Sequence, residues 1–246
     1  MKLTRIAVLT LCSAFLLAAP AQAQSAAPSV DAILSRYYSA VGGLDKLKQI
    51  QSTKTNAMVT GQGMDMPAVF YQKRPNKLRT EVTVQGMTMV QAYDGTNAWA
   101  IVPFTGSSEP QDIMGDQADV MKEQAYMDGL LVDYQEKGYT IELAGTEQVD
   151  GVDAYKLKVT SANGTDTYYY MDAQRYLPVQ VEKTISQNGM SAHAVTTLAD
   201  YRPEGGVLMP HLIKQTVDGH PVAQIALTQI EINPQIPDSI FTRPAR

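Results

Sequence analysis

The chain has 246 residues, 44% of them hydrophobic, and carries 20 basic against 25 acidic side chains for a formal net charge of −5. That length suits one large domain or a small pair. The acidic balance, with no basic cluster beyond Lys73-Arg74 and Lys77-Arg79, argues against nucleic acid or an anionic membrane surface as the main partner.

Residues 1–23 set Lys2 and Arg5 ahead of an apolar run from Ile6 to Ala19, followed by Pro20 and the small-residue site Ala21-Gln22-Ala23. This is the order of a cleaved secretory signal, and the run is too short for a membrane span. The expected product is one periplasmic domain, residues 24–246, exported across the inner membrane. Cys12, the one cysteine, lies inside the apolar run behind Leu11, where lipobox processing requires a small side chain. Its loss with the signal leaves no disulfide and no thiol nucleophile, so stability rests on packing.

Ser29 is placed to cap a first helix through about Val41, with Val30, Ile33, Leu34, Tyr37 and Tyr38 on its apolar face and Gly42-Gly43 ending it. A short helical piece, Leu44 to Ile50, follows. The chain then alternates in the strand manner. Leu78, Thr80, Val82 and Val84 share a face, and Met64/Met66 and Met87/Met89 are i, i+2 pairs that each project from one face of a strand. Turn signals recur at Asp94-Gly95, Asp150-Gly151, Asn163-Gly164, Asn188-Gly189, Gly205-Gly206 and Asp218-Gly219, residues that favour the positive φ of hairpins.

Residues 109–137 interrupt this pattern. Met114, Ala118, Met121 and Ala125 fall at helical spacings of four, three and four, which marks one apolar helix face. Ordinary hairpin connections are far shorter. Flexible, polarizable thioethers adapt to irregular apolar shapes, so the segment suits either of two roles, a plug in the sheet's core or a lid over a greasy cavity. Strands resume with Tyr139/Ile141/Leu143, Tyr155/Leu157/Val159 and Val179/Val181. Near the end, Ile225 and Leu227 share one parity and Ile230 and Ile232 the other, which predicts a bulge near Gln229. The count is about ten to twelve strands. The fold class is therefore mostly β within α+β: one large curved antiparallel sheet, since an open sheet of that size curls or splits, with helices on the concave side.

Three segments carry a family resemblance. They are Gln72-Lys73-Arg74-Pro75-Asn76-Lys77-Leu78-Arg79, then Asp94-Gly95-Thr96-Asn97-Ala98-Trp99 with Pro103-Phe104, then Met171-Asp172-Ala173-Gln174-Arg175-Tyr176-Leu177-Pro178. In this order, with the tail Ile240-Phe241-Thr242-Arg243-Pro244, they resemble the LolA-like periplasmic carriers that sort lipoproteins to the outer membrane. The resemblance implies an incomplete antiparallel β-barrel whose open side is covered by helices. The hydrophobic cavity inside would shield the acyl chains of a lipoprotein or lipid, received from an inner-membrane donor and passed to an outer-membrane acceptor by a monomer without cofactor. Met64, Met66, Met87, Met89, Trp99 and Phe104 would line it, and Met114 and Met121 would roof it. Arg74 matches the family's lid-restraining arginine, whose donors satisfy several lid carbonyls at once. Read without the family, Arg74 is a strand-end surface charge and Trp99 a core anchor. The chain departs from those carriers in having one tryptophan and relying on Met and Tyr elsewhere, which bears on the cargo more than on the fold.

Nothing in the sequence proposes catalysis. His193, His211 and His220 have no metal-ligand spacing, and no G-x-S-x-G, H-E-x-x-H or P-loop occurs. Asp94, Asp150, Asp172 and Asp218 read most simply as turn formers. An envelope sensor of the same fold is the second reading and an uncharacterised periplasmic enzyme the third. A sensor normally adds a second domain or an anchor, and the sequence suggests neither. Intact-mass measurement of protein recovered from the periplasm is expected to give a chain beginning at Gln24. A diacylglycerol-bearing mass would contradict this reading.

Overall fold

The computed structural model describes residues 27–105, 108–187 and 190–244. The expected export signal and the Asn188-Gly189 turn lie outside the described residues. Helix α1 (Val30–Ala40) starts where the Ser29 hydroxyl accepts a hydrogen bond from the Ala32 N–H at 3.2 Å. Its Ile33 and Leu34 are buried, and Val30, Tyr37 and Tyr38 pack beside them, the face expected from the sequence. The helix ends at Gly42, whose φ of +112° and close approach to the Gly206 carbonyl exclude a side chain. Helix α2 (Leu44–Gln49) follows.

The strands are β1 (Ser52–Gly61), β2 (Met64–Lys73), β3 (Lys77–Val84), β4 (Met87–Tyr93), β5 (Ala98–Ile101) and β6 (Gln111–Ile113). After helix α3 (Asp116–Gln124) come β7 (Thr140–Val149), β8 (Val152–Thr160), β9 (Asp166–Asp172), β10 (Pro178–Gln187), β11 (Met190–Glu204), β12 (Val207–Val217) and β13 (His220–Ile232). All thirteen form one antiparallel sheet in the order β6-β5-β4-β3-β2-β1-β13-β12-β11-β10-β9-β8-β7. This is one strand more than the upper expectation, because the three-residue β6 shows no alternation in sequence. The edges β6 and β7 stay unpaired with each other, so the sheet is an incomplete barrel.

Turn chemistry accounts for four of the hairpins. Asp150 and Gly151 take φ of 49° and 81°, and Asp218 and Gly219 take 48° and 77°, the left-handed pair of a type I′ turn. Gln62-Gly63 and Gln85-Gly86 do the same with φ of 51°, 76° and 50°, 82°. The sequence hides these two behind a glutamine, which lacks the short side chain that usually marks αL. The predicted bulge occurs on β13, where the register shifts as Asn56 pairs with Gln229 and Ala57 with Leu227. Thr228, the extra residue, donates its hydroxyl to the Asn56 carbonyl at 3.0 Å.

One face of the sheet is covered at both ends. Ile33 and Leu34 pack with Leu130, Leu131, Leu157, Val159 and Met171 over β8 and β9. Met121 and Ala125 pack with Leu78, Tyr93 and Ala98 over β3 to β5. On the opposite, outer face, Val90, Ala92 and Trp99 form a third cluster beneath the C-terminal tail. There Trp99 donates from Nε1 to the Phe241 carbonyl at 2.8 Å, and Phe241 is fully buried. Arg79 donates to the Ile240 carbonyl at 2.7 Å, and Lys73 to the Ile236 carbonyl at 2.7 Å. The basic stretch noted in the sequence is thus spent inside the molecule. Lys73 and Lys77 also hold Asp238, at 2.6 and 2.8 Å.

Those hydrogen bonds, from Lys73 first and then Lys77, pull the Asp238 carboxyl down to about 2 from an ordinary 3.8. A folded value below the unfolded one means the contribution is complete above the unfolded pKa and fades as pH falls through the folded one. Protection of the amides across residues 234–244, exchange corrected for its intrinsic pH dependence, is therefore expected to fall between roughly pH 4 and 2, and Asp238→Asn should abolish that step. Protection that stays flat over the window in the parent protein would show that the tail does not depend on this carboxylate.

Candidate functional site

Directly paired residues of an antiparallel sheet share a face, so the registers trace what lines the concave side. Met66 pairs with Val59, Val59 with Ile225, Ile225 with Ile213 and Ile213 with Leu198. A second row runs Met89, Val82, Ala68, Ala57, Leu227. Both rows lie on the face that carries Leu78 and Tyr93, because β3 and β4 keep their period of two. They are apolar throughout, and neither belongs to the clusters under α1 or α3. Ala57 and Ala68 are buried, while the larger side chains are only partly covered. The result is an apolar trough across β4, β3, β2, β1, β13, β12 and β11.

The four strand methionines all point to this face. Met66 and Met89 sit within the two rows, whereas Met64 and Met87 stand at hairpin ends, 38% and 41% exposed. Met121 is buried and seats α3 on Leu78, Tyr93 and Ala98. Three expected lining residues lie elsewhere. Trp99 pairs with Ala92 and occupies the outer face under the tail, so it is no wall of the trough. Its four-residue strand is too short to show its parity in sequence. Phe104 is 45% exposed in a 3₁₀ turn (Pro103–Thr105) after β5. Met114 is 80% exposed, because the helix begins only at Asp116 and leaves it in the link from β6. The segment 109–137, expected to be helical, is in fact β6, α3 and a run of turns.

Six contacts fix that segment over the sheet's open side. Arg74 donates from Nη1 and Nη2 to the two carboxylate oxygens of Asp128 at 2.7 and 2.5 Å. It also donates to the carbonyls of Ile50 and Leu47 at 2.7 and 3.0 Å. The guanidinium therefore ties the end of α2 to the turns that follow α3. Asp128 has a side chain only 7% exposed, and a buried carboxylate needs such a partner. Tyr38 of α1 donates to the Leu131 carbonyl at 2.7 Å, and burial pushes its phenol up to about 12. Lys48 pairs with Asp133 at 2.8 Å, and Gln72 donates to the Gln124 carbonyl at 3.0 Å. Lys183 pairs with Glu123 at 3.3 Å, and Tyr139 donates to Glu123 at 3.4 Å.

Two pockets open outside the trough. One of about 390 Å³ lies on the outer face against the tail, lined by Lys54, Tyr71, Arg79 and Pro237 among others. Another of about 630 Å³ sits at the Arg74–Asp128 clamp beside Tyr126 and Lys137. Lys137 spans this corner, donating to the carbonyls of Gly129 and Val132 at 2.7 and 2.6 Å over the Tyr126 ring. Its burial lowers the ammonium pKa. Among the described residues no group of three potential metal ligands occurs, and no helix is long and apolar enough to cross a membrane.

No family model and no curated protein matches the chain. Solved structures do. A LolA superfamily protein from Nitrosomonas europaea aligns with 88% of this chain and 98% of its own, with a TM-score of 0.58 and 14% identity. The fold is LolA-like. A DUF1329 family protein from Desulfovibrio piger covers the same shares with a TM-score of 0.59, also at 14% identity. A domain named for outer membrane lipoprotein sorting, from Vibrio parahaemolyticus, gives 0.56 over 85% of this chain and 94% of its own at 13% identity. At such identities the likeness speaks for the LolA-like architecture alone.

The Arg74–Asp128 pair yields a test. Arg74→Leu strands the buried Asp128 carboxylate and leaves the Ile50 carbonyl without this donor, an expected loss of about 3 kcal/mol, together with faster hydrogen exchange over residues 115–139. Adding Asp128→Leu removes the stranded charge and should recover part of that loss in denaturant titrations. Unchanged exchange in a folded Arg74→Leu protein would leave Arg74 with no restraining role.

Proposed function

We propose that the protein is a periplasmic carrier that takes the acyl chains of a lipid or lipoprotein into the trough beneath the α3 segment and moves them toward the outer membrane. The observation that carries this reading is the pair of continuous apolar rows left partly uncovered on a concave face. Removing apolar surface from water is worth about 25 cal/mol per Å². An incompletely covered trough of this extent is therefore a source of binding energy for a chain molecule. Methionines at Met66 and Met89 suit chains of varied shape. The LolA-like fold, shared with a domain named for lipoprotein sorting, supports the same class of ligand. Arg74 acts in this reading as the restraint that keeps the lid segment seated. Export by residues 1–23 would place the protein between donor and acceptor membranes.

Val82 lies between Ala68 and Met89 in one row and is partly exposed. Val82→Trp should fill the trough with little change in thermal midpoint while weakening binding of cis-parinaric acid methyl ester, a neutral fluorescent acyl probe, by about tenfold or more. Absence of ester binding by delipidated parent protein would defeat the carrier reading. Severe unfolding of the variant would instead identify the rows as close-packed core.

A further inference from the structure

The concave face carries a cation where its pattern calls for an apolar residue. On β10, Val181, Lys183 and Ile185 alternate inward: Val181 pairs with Tyr169, and Lys183 with Thr167 on one side and Ala194 on the other. Ala194 lies four residues from Leu198 on β11, which places Lys183 on the same face as the apolar rows. The Lys183 side chain is 26% exposed.

A partly buried lysine needs an anion, and here Glu123 of α3 supplies one from across the concave side. The contact is loose. Lys183 stands 3.3 Å from Glu123, and Tyr139 reaches the same carboxylate at 3.4 Å, whereas charge-assisted hydrogen bonds close to about 2.7–2.9 Å. The Arg74–Asp128 pair, at 2.5 and 2.7 Å with two donors on two acceptors, holds this same segment by shorter contacts. Glu123 has one cation and one phenol at long range, so a better-placed anion gains at Lys183 what Glu123 leaves unused. The phenol of Tyr139, held protonated by burial and the nearby Glu123, is a second donor for such an anion.

Resting on the trough reading, we propose that Lys183 is a head-group site. It binds the anionic group of an acyl ligand, carboxylate or phosphate, in exchange for Glu123, while the acyl chain lies along the apolar rows. The ligand class is thereby narrowed from any acylated molecule to an anionic amphiphile. The exchange also frees α3 from β10, which links occupancy of the trough to seating of the lid segment.

The test compares cis-parinaric acid with its methyl ester, two probes that differ only in the charge. The parent protein is expected to bind the acid about tenfold more tightly than the ester. Lys183→Met should bring that ratio to about one, Lys183→Arg should retain it, and Glu123→Gln, which removes the internal competitor, should increase it. Displacement of the ester at lower concentration by phosphatidic acid than by diacylglycerol, a difference lost in Lys183→Met, assigns the phosphate. Preference for oleate over methyl oleate with the same dependence assigns the carboxylate. Equal binding of acid and ester by the parent protein, or a ratio unmoved by Lys183→Met, overturns the proposal and leaves the trough standing. Failure of the ester to bind at all overturns the trough itself.

Discussion

The route of the chain from one edge of the sheet to the other governs the rest of this structure. It enters at the middle, runs outward from β1 to β6, and must then reach β7 at the far edge before working back to β13, which pairs with β1. Sheet neighbours are about 4.8 Å apart, so the six steps from β3 to β10 span roughly 30 Å if flat. Yet Met121 touches Leu78 on β3 while Glu123, two residues along the same helix, reaches Lys183 on β10. A helix is about 10–12 Å across with its side chains. The sheet therefore curls until its two sides nearly meet across α3. The α3 segment is the connection that this topology requires, laid over the side the sheet leaves open.

Once that crossing exists, its backbone has to be satisfied where regular hydrogen bonding lapses. After α3 the chain runs through turns to β7, and the carbonyls it exposes are met by Tyr38 and Lys137, as Arg74 meets those at the end of α2. Each donor sits on another element, or on a side chain returning from the far end of the turns, so the segment is fixed by tertiary contacts more than by helical propensity. The outer face follows the same logic. A tail without strand pairing is held through its carbonyls by Lys73, Arg79 and Trp99, which β2, β3 and β5 bring under one run of chain.

The sequence exposed what local periodicity and turn chemistry control. The α1 face, the Asp-Gly hairpins, the β13 bulge and the shared direction of the four strand methionines are all one-dimensional signals. It concealed what depends on the crossing. Met114 reads as helical because its spacing to Ala118 is right, but Gly115, at φ 62°, stands at the helix start and turns it out to solvent. Asp128 falls in a stretch with no period, so nothing marks it as the partner of Arg74. Lys183 is inward by alternation with Val181, yet the register shift between Pro178 and Gln180 breaks the count from Val179. The resemblance to LolA-like carriers supplied Arg74, which composition and spacing leave as a surface charge.

The residue types divide the concave side in two. The half over β7 to β9 is built on tyrosine: Tyr37, Tyr38, Tyr126, Tyr134, Tyr139 and Tyr169 pack around Leu157 and Met171. Rings with two χ angles lose little freedom on packing and carry hydroxyls that bind backbone, as Tyr38 does at Leu131. The half over β1 to β4 presents Met66, Met89 and Val82, side chains without polar atoms to satisfy and, in methionine, with three soft torsions. A wall that must hold the crossing segment in one place is thus made of residues that fix geometry. The wall left partly uncovered is made of residues that tolerate changing neighbours. That difference follows what each half covers: one packs against the crossing segment of its own chain, and the other is left partly uncovered.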